Sequence, residues 1–238
     1  MKKLHRTVSI IAVLSSFAVA AQAQVIGSWQ GAGDNGWIDW GNLTSITAPA
    51  NMPVPYSFAA GVVPGYAQSL QLTKAGWSQD LSIKLENTPG DMAAFLNNHL
   101  FSITWSIPAG TGGGYEQLWG LYINASSYGF NLQPASEVST TGSGSKSGTG
   151  GELDFWSGSP AQTQTITWDY SSILPSITAT PSSGYIELVL TSNSGGGAPN
   201  TFYFNNAVLS GGPVPEPSTL ALIGLGAAGL FWLRRKNS

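Results

Sequence analysis

Along most of the chain, apolar side chains recur at every second position, in short runs cut by Gly, Pro, Asn and Ser. This is strand periodicity broken by turn chemistry. The runs are "GWIDWG", "QSLQLT", "DLSIKLE", "LFSITWSI", "YEQLWGLYIN", "GELDFWS", "QTITWDY", "YIELVLTS" and "TFYFNNAVL". So many short strands, with no internal repeat, predict an all-β antiparallel sandwich or barrel. Helical character shows only in "PGDMAAFLNN", where Asp91 is placed to cap a short helix reaching Asn97. The segments Thr141–Gly151 and Thr191–Asn200 are rich in Gly and Ser. The first has too little apolar surface to pack and reads as a mobile loop; the second reads as the link between the last two strands.

Alternation also sorts the faces. In "LFSITWSI", Phe101, Ile103, Trp105 and Ile107 oppose Ser102, Thr104 and Ser106. In "QTITWDY", Ile166, Trp168 and Tyr170 oppose Thr165, Thr167 and Asp169. In "YEQLWGLYIN", Tyr115, Trp119, Leu121 and Ile123 oppose Glu116, Gly120, Tyr122 and Asn124. Trp105, Trp119 and Trp168 are therefore expected in the core. Trp156 differs, because Leu153 and Phe155 take the inward face and leave Glu152, Asp154 and Trp156 on the polar one. An aromatic ring among carboxylates suits a sugar: the ring covers the C–H face and the carboxylates accept hydroxyl protons. Tyr122 with Glu116 and Asn124 has the same mixed character, and Glu187 lies opposite Ile186, Leu188 and Leu190. These residues are expected to line one polar sheet face, a candidate carbohydrate site.

Both chain ends depart from the strand pattern. The first 23 residues carry Lys2, Lys3 and Arg6, the apolar stretch Val8–Ala20, then Ala21-Gln22-Ala23. That is a secretory signal peptide, with cleavage expected after Ala23 and before Gln24. Residues 213–238 hold Val214-Pro215-Glu216-Pro217, the run Leu220–Leu233 interrupted only by Gly224, Gly226 and Gly229, and then Arg234, Arg235 and Lys236. The run contains 14 residues. As a single hydrophobic helix it would span about 21 Å against a hydrocarbon core of about 30 Å, a weak permanent anchor. Its basic end belongs on the cytoplasmic side.

Removing both ends changes the charge. The formal net charge of −3 includes six basic residues from the two ends. Only Lys74, Lys84 and Lys146 remain, against eleven acids, so residues 24–212 carry about −8. No basic surface is available for nucleic acid. There is no cysteine, hence no disulfide framework or thiolate chemistry. His99 is the only histidine outside the signal peptide, which leaves no zinc site and makes a structural role the expectation. Asp34 and Asp39 flank "NGWI", where a turn explains them as well as a weak calcium site does.

"VPEPSTLALIGLGAAGLFWLRRK" is similar, position by position, to the PEP-CTERM sorting signal of Gram-negative bacteria. The resemblance implies that an exosortase recognises Pro215-Glu216-Pro217, cleaves near the motif and passes the protein from the inner membrane to the cell surface or the exopolysaccharide matrix. The segments Gly27–Gly41, Ala67–Leu85 and Asn200–Leu209 resemble jelly-roll carbohydrate-binding, galactose-binding-like domains. That resemblance implies a jelly-roll sandwich over residues 24–212 and a possible polysaccharide partner. Such domains often hold a structural calcium where this chain reads Gln30 and Asn205. Two amides in place of two carboxylates disfavour the ion, and a hydrogen-bonded amide pair is expected instead. "GELDFWSG" resembles the E-x-D-x-x-E signature of laminarinase-type glycoside hydrolases, but the third position is Ser157. A retaining glycosidase needs both carboxyl groups, so no catalytic residue is assigned. The expected function is a non-enzymatic surface or matrix protein that binds polysaccharide. The alternatives are a purely structural surface protein and a laminarinase-like hydrolase.

Overall fold

A computed structural model describes residues 23–29, 37–40, 56–74, 78–84, 89–110, 113–125, 133–144, 146–147, 150–177, 186–195 and 200–212. Residues 1–22 and 213–238 lie outside them, and with them Ala21, Val214, Pro215, Glu216, Pro217, Arg234 and Arg235. Gln30 and Asp34 also lie outside.

The strands are β1 (Gln24–Gly27), β2 (Trp37–Trp40), β3 (Tyr56–Ala60), β4 (Gln68–Lys74), β5 (Ser78–Lys84), β6 (Leu100–Ile107) and β7 (Gly114–Ala125). They continue with β8 (Gln133–Pro134), β9 (Ser136–Gly142), β10 (Lys146–Ser147), β11 (Gly150–Phe155), β12 (Gln162–Asp169), β13 (Ile186–Ser194) and β14 (Asn200–Ser210). One sheet runs β3-β4-β14-β6-β12-β9, with β1 beside the C-terminal half of β14. The other runs β10-β11-β7-β13-β5-β2, with β8 beside β7. Every pairing is antiparallel. From β4 onward the long strands alternate between sheets, so the chain winds around the core as a jelly roll.

The core is the layer between the sheets. Trp105, Trp168, Phe101, Phe202 and Phe204 fill it from the first sheet, and Leu121, Leu153, Phe155, Leu188 and Leu190 from the second. Trp105 meets the edge of Phe202 and stacks near Phe204, with centroids 6.2 and 6.4 Å away. The alternation expected for β6 and β12 holds. Their outward hydroxyls pair across the strands: Ser102 with Thr167, Thr104 with Thr165 and Ser106 with Thr163, each at 2.8 Å.

The helix α1 (Pro89–Leu96) begins two residues before Asp91, which therefore lies in the first turn rather than at the cap. Pro suits that turn because its missing N–H would find no helical partner there. Tyr170 stacks on Phe95 at 4.3 Å and donates its hydroxyl to the Phe95 carbonyl at 3.0 Å. This contact ties α1 to the end of β12.

The glycine-rich stretch Thr141–Gly151 departs from expectation. β9 runs to Gly142, Lys146–Ser147 form β10, and β11 opens at Gly150. The segment needs no apolar surface of its own, because its glycines let backbone approach backbone. A Cβ on Gly150 would collide with the Leu118 carbonyl and the Trp119 Cα of β7.

Strand directions define two poles. Leu100 pairs with Asp169 and Ser210, and Gln24 pairs with Leu209, so both ends of residues 24–212 meet at one pole. Ile107, Gln162 and the turn Trp156–Ser159 occupy the other, where Gly110 donates to the Ser159 carbonyl at 3.1 Å.

Candidate functional site

The pairing of β11 with β7 sets the candidate site. Leu153 lies opposite Glu116, while Glu152 lies opposite Gln117 and Asp154 opposite Tyr115. Since Leu153 is buried, its pairing places Glu116 inside, and Glu116 is fully buried. The second group, Glu152, Asp154, Gln117 and Tyr115, is on the outer face. Glu152 and Asp154 are both half-buried, spaced two residues apart, or roughly 7 Å along the strand. Trp156 follows immediately and is 58% exposed. It opens a turn in which Ser159 N–H donates to the Trp156 carbonyl at 2.8 Å and Trp156 N–H to Ser159 Oγ at 3.0 Å.

Two expectations for β7 are corrected by a bulge. Thr191 of β13 pairs with Gly120, but Ser192 pairs with Leu118, so Trp119 is an extra residue. The extra residue reverses the phase of alternation. Glu116 is thereby turned into the core, and Tyr115, expected to face the core, is 36% exposed. Trp119 does not reach the core either. It is half-buried and meets Tyr122 edge to face at 5.7 Å.

The six residues expected to share one site are therefore not together. Glu152, Asp154 and Trp156 stand at the far pole. Tyr122 lies on the outer face further along β7, opposite Val189 and Pro134. Asn124 lies roughly 27 Å from Tyr115 along the strand. It is fully buried and donates its amide to Glu187 Oε2 at 2.6 Å. Glu187 is itself only 3% exposed, so this pair is not a solvated surface.

Tyr115 is the residue that strict alternation misses. Its ring lies over Gly195, where a Cβ would overlap it, and Gly195 N–H donates to the Tyr115 carbonyl at 3.0 Å. The far pole therefore presents Trp156 and Tyr115 around Asp154. A signal for this exists in "LWGLY", since a lone Gly inside a strand pattern marks a bulge.

Of the expected amide pair only Asn205 is among the described residues. Asn205 is fully buried and donates to Ser69 Oγ at 2.9 Å; Gln30 is outside the described residues. Among the described residues no three His, Asp or Glu side chains form a metal-holding group. His99 closes the near pole, with its Nδ1 2.8 Å from the Gly212 carbonyl oxygen.

Residues 213–236 match the PEP-CTERM protein-sorting motif, which marks an exported protein with a C-terminal membrane-anchoring sorting signal. No curated protein matches the chain in sequence. Among solved structures, the chain is similar to a family 29 carbohydrate-binding module from Piromyces equi, at 14% identity, 83% of this chain, 95% of that one and a TM-score of 0.41. It is also similar to a non-crystalline-cellulose-specific module, CBM28, at 10% identity, 80% and 95% coverage and a TM-score of 0.45. A third is the CBM22-1 xylan-binding domain of Paenibacillus barcinonensis Xyn10C, at 11% identity, 82% and 99% coverage and a TM-score of 0.43. What each module binds is a property of that module.

Proposed function

We propose that this protein is released from its membrane anchor by an exosortase acting at Pro215-Glu216-Pro217, and that its sandwich then binds extracellular polysaccharide without hydrolysing it. The carrying observation is Trp156, a large apolar ring left 58% exposed at the far pole beside half-buried Asp154 and exposed Tyr115. A lone exposed ring is ordinary, but Tyr115 opposite Asp154 on the β7–β11 strand pair, with Trp156 in the turn that follows, matches the needs of a sugar, with one apolar face and a rim of hydroxyls. The net charge of about −8 on residues 24–212 favours a neutral polymer over an acidic one. Ser157 stands where a third carboxylate would be needed, and a hydroxyl cannot protonate a leaving alcohol at a useful rate. Binding is therefore favoured over catalysis, and the sorting signal supports an encounter outside the cytoplasm.

The test is pull-down of the exported protein with the producer's own exopolysaccharide. Trp156→Ala is expected to weaken binding about tenfold or more, as for a central aromatic contact, and to leave stability within about 0.5 kcal/mol because the ring is exposed. Unchanged binding removes the far pole from the site. No binding by the wild-type protein leaves the purely structural reading, and reducing-sugar release abolished by Glu152→Gln restores the hydrolase.

A further inference from the structure

The near pole holds the chain's exit from the fold by an arrangement that the binding reading does not use. Asn98, buried just after α1, donates its amide to the Ala94 carbonyl at 2.8 Å. Its Oδ1 accepts the Gly212 N–H at 3.1 Å. His99 Nδ1 donates to the Gly212 carbonyl at 2.8 Å, and the His99 backbone N–H donates to the Ser210 carbonyl at 3.1 Å. Gly211 has φ +95° and passes so close to the imidazole that a Cβ would sit 2.6 Å from its Cε1. Both polar groups of the Gly212 peptide backbone are thus held by side chains of neighbouring residues, and Gly212 is buried. Strand β14 ends at Ser210, so no ladder bond demands this fixation.

The position matters because the sorting motif starts at residue 213. Only Pro213 and Val214 separate the held residue from Pro215-Glu216-Pro217. Fully extended, that is about 10 Å from the Gly212 Cα to the Pro215 Cα. A membrane-embedded enzyme reaching the motif must work almost against the folded sandwich. We infer that Asn98 and His99 are positioning residues for processing: their clamp on Gly212 keeps the motif within two residues of the near pole and so limits the enzyme's access to it. This rests on the reading that residues 213–236 are processed by an exosortase. The same geometry sets orientation. The near pole would face the membrane, with Trp156 at the opposite pole, across roughly 23 Å of β6.

The experiment follows conversion of the full-length precursor to its processed form in the producing cells by pulse-chase and mass spectrometry. Four chains are compared: wild type, Asn98→Ala/His99→Ala, an insertion of four Gly/Ser residues between Gly212 and Pro213, and both changes together. The double substitution and the insertion are each expected to speed conversion about threefold, because each lengthens the free tether. Combined, they should add little to either alone. This lack of additivity is a readout that a merely structural role for Asn98 would not produce, and the insertion leaves the domain's own contacts intact if the substitutions unfold it. Wild-type conversion that neither change accelerates overturns the clamp. So does acceleration by the insertion alone, with the doubly substituted domain shown folded by its near-UV spectrum. If the wild type is never converted, the processing reading itself falls.

Discussion

At the scale of single residues, Tyr170 shows how a buried polar group is used. Burial, reinforced by the neighbouring Asp169, raises its phenol well above the ordinary value of 10.0. The folded state therefore keeps the proton where the unfolded chain loses it. The resulting stability is fully present below pH 10 and is lost as pH rises through the interval up to the raised folded value, at about 1.4 kcal/mol per unit. Tyr170→Phe is expected to cost about 1 kcal/mol at neutral pH, through the lost bond to the Phe95 carbonyl. It should also flatten the alkaline limb of a urea-midpoint against pH plot. A limb of unchanged slope in the variant assigns the alkaline loss elsewhere, Tyr203 being another phenol raised by burial among the described residues. The inward placement of Trp105 and Trp168 was legible residue by residue, because nothing interrupts the alternation of their strands. Glu116 was not, because its side is set by an insertion three residues away.

At the scale of elements, that insertion is the bulge at Trp119. A period-two reading has no memory of phase: one extra residue sends every side chain before it to the opposite face. The outer placement of Glu152 and Asp154 survives because β11 has no bulge against β7. The glycine-rich stretch failed for a different reason. Composition reports how much surface a segment can bury, but not whether its partners require that it have none. Gly150→Ala is expected to cost about 2 kcal/mol, since the new methyl meets the Leu118 carbonyl and the rigid backbone of β7. Equilibrium unfolding in urea checks this as a lower midpoint at unchanged slope. A midpoint equal to wild type would mean that β11 can shift along β7.

At the scale of the molecule, the winding brings β1 and β14 side by side, so residues 24 and 212 share a pole while Trp156 stands at the other. The all-β class followed from counting strands, which left sandwich and barrel open; the jelly-roll sandwich followed from the resemblance to carbohydrate-binding domains. The polarity did not, because it depends on which strands pair, and pairing between the first and last strands is a contact across the whole chain. The export signal was legible for the opposite reason: it is read as a linear motif, and no folding is needed to recognise it.

The place of β14 has a mechanical consequence. On the proposed function, tension between a polymer at Trp156 and a surface attachment beyond Gly212 would run along the strands, and β14 is bonded to β6 on one side and to β4 and β1 on the other. Those bonds share the load in shear instead of opening one at a time. Edge strand β9 pairs with β12 alone and would peel. Single-molecule pulling between residues 156 and 212 is expected to need a higher rupture force than pulling between residues 156 and 138. The molecule would then be strongest along the line on which a tethered surface protein is tugged.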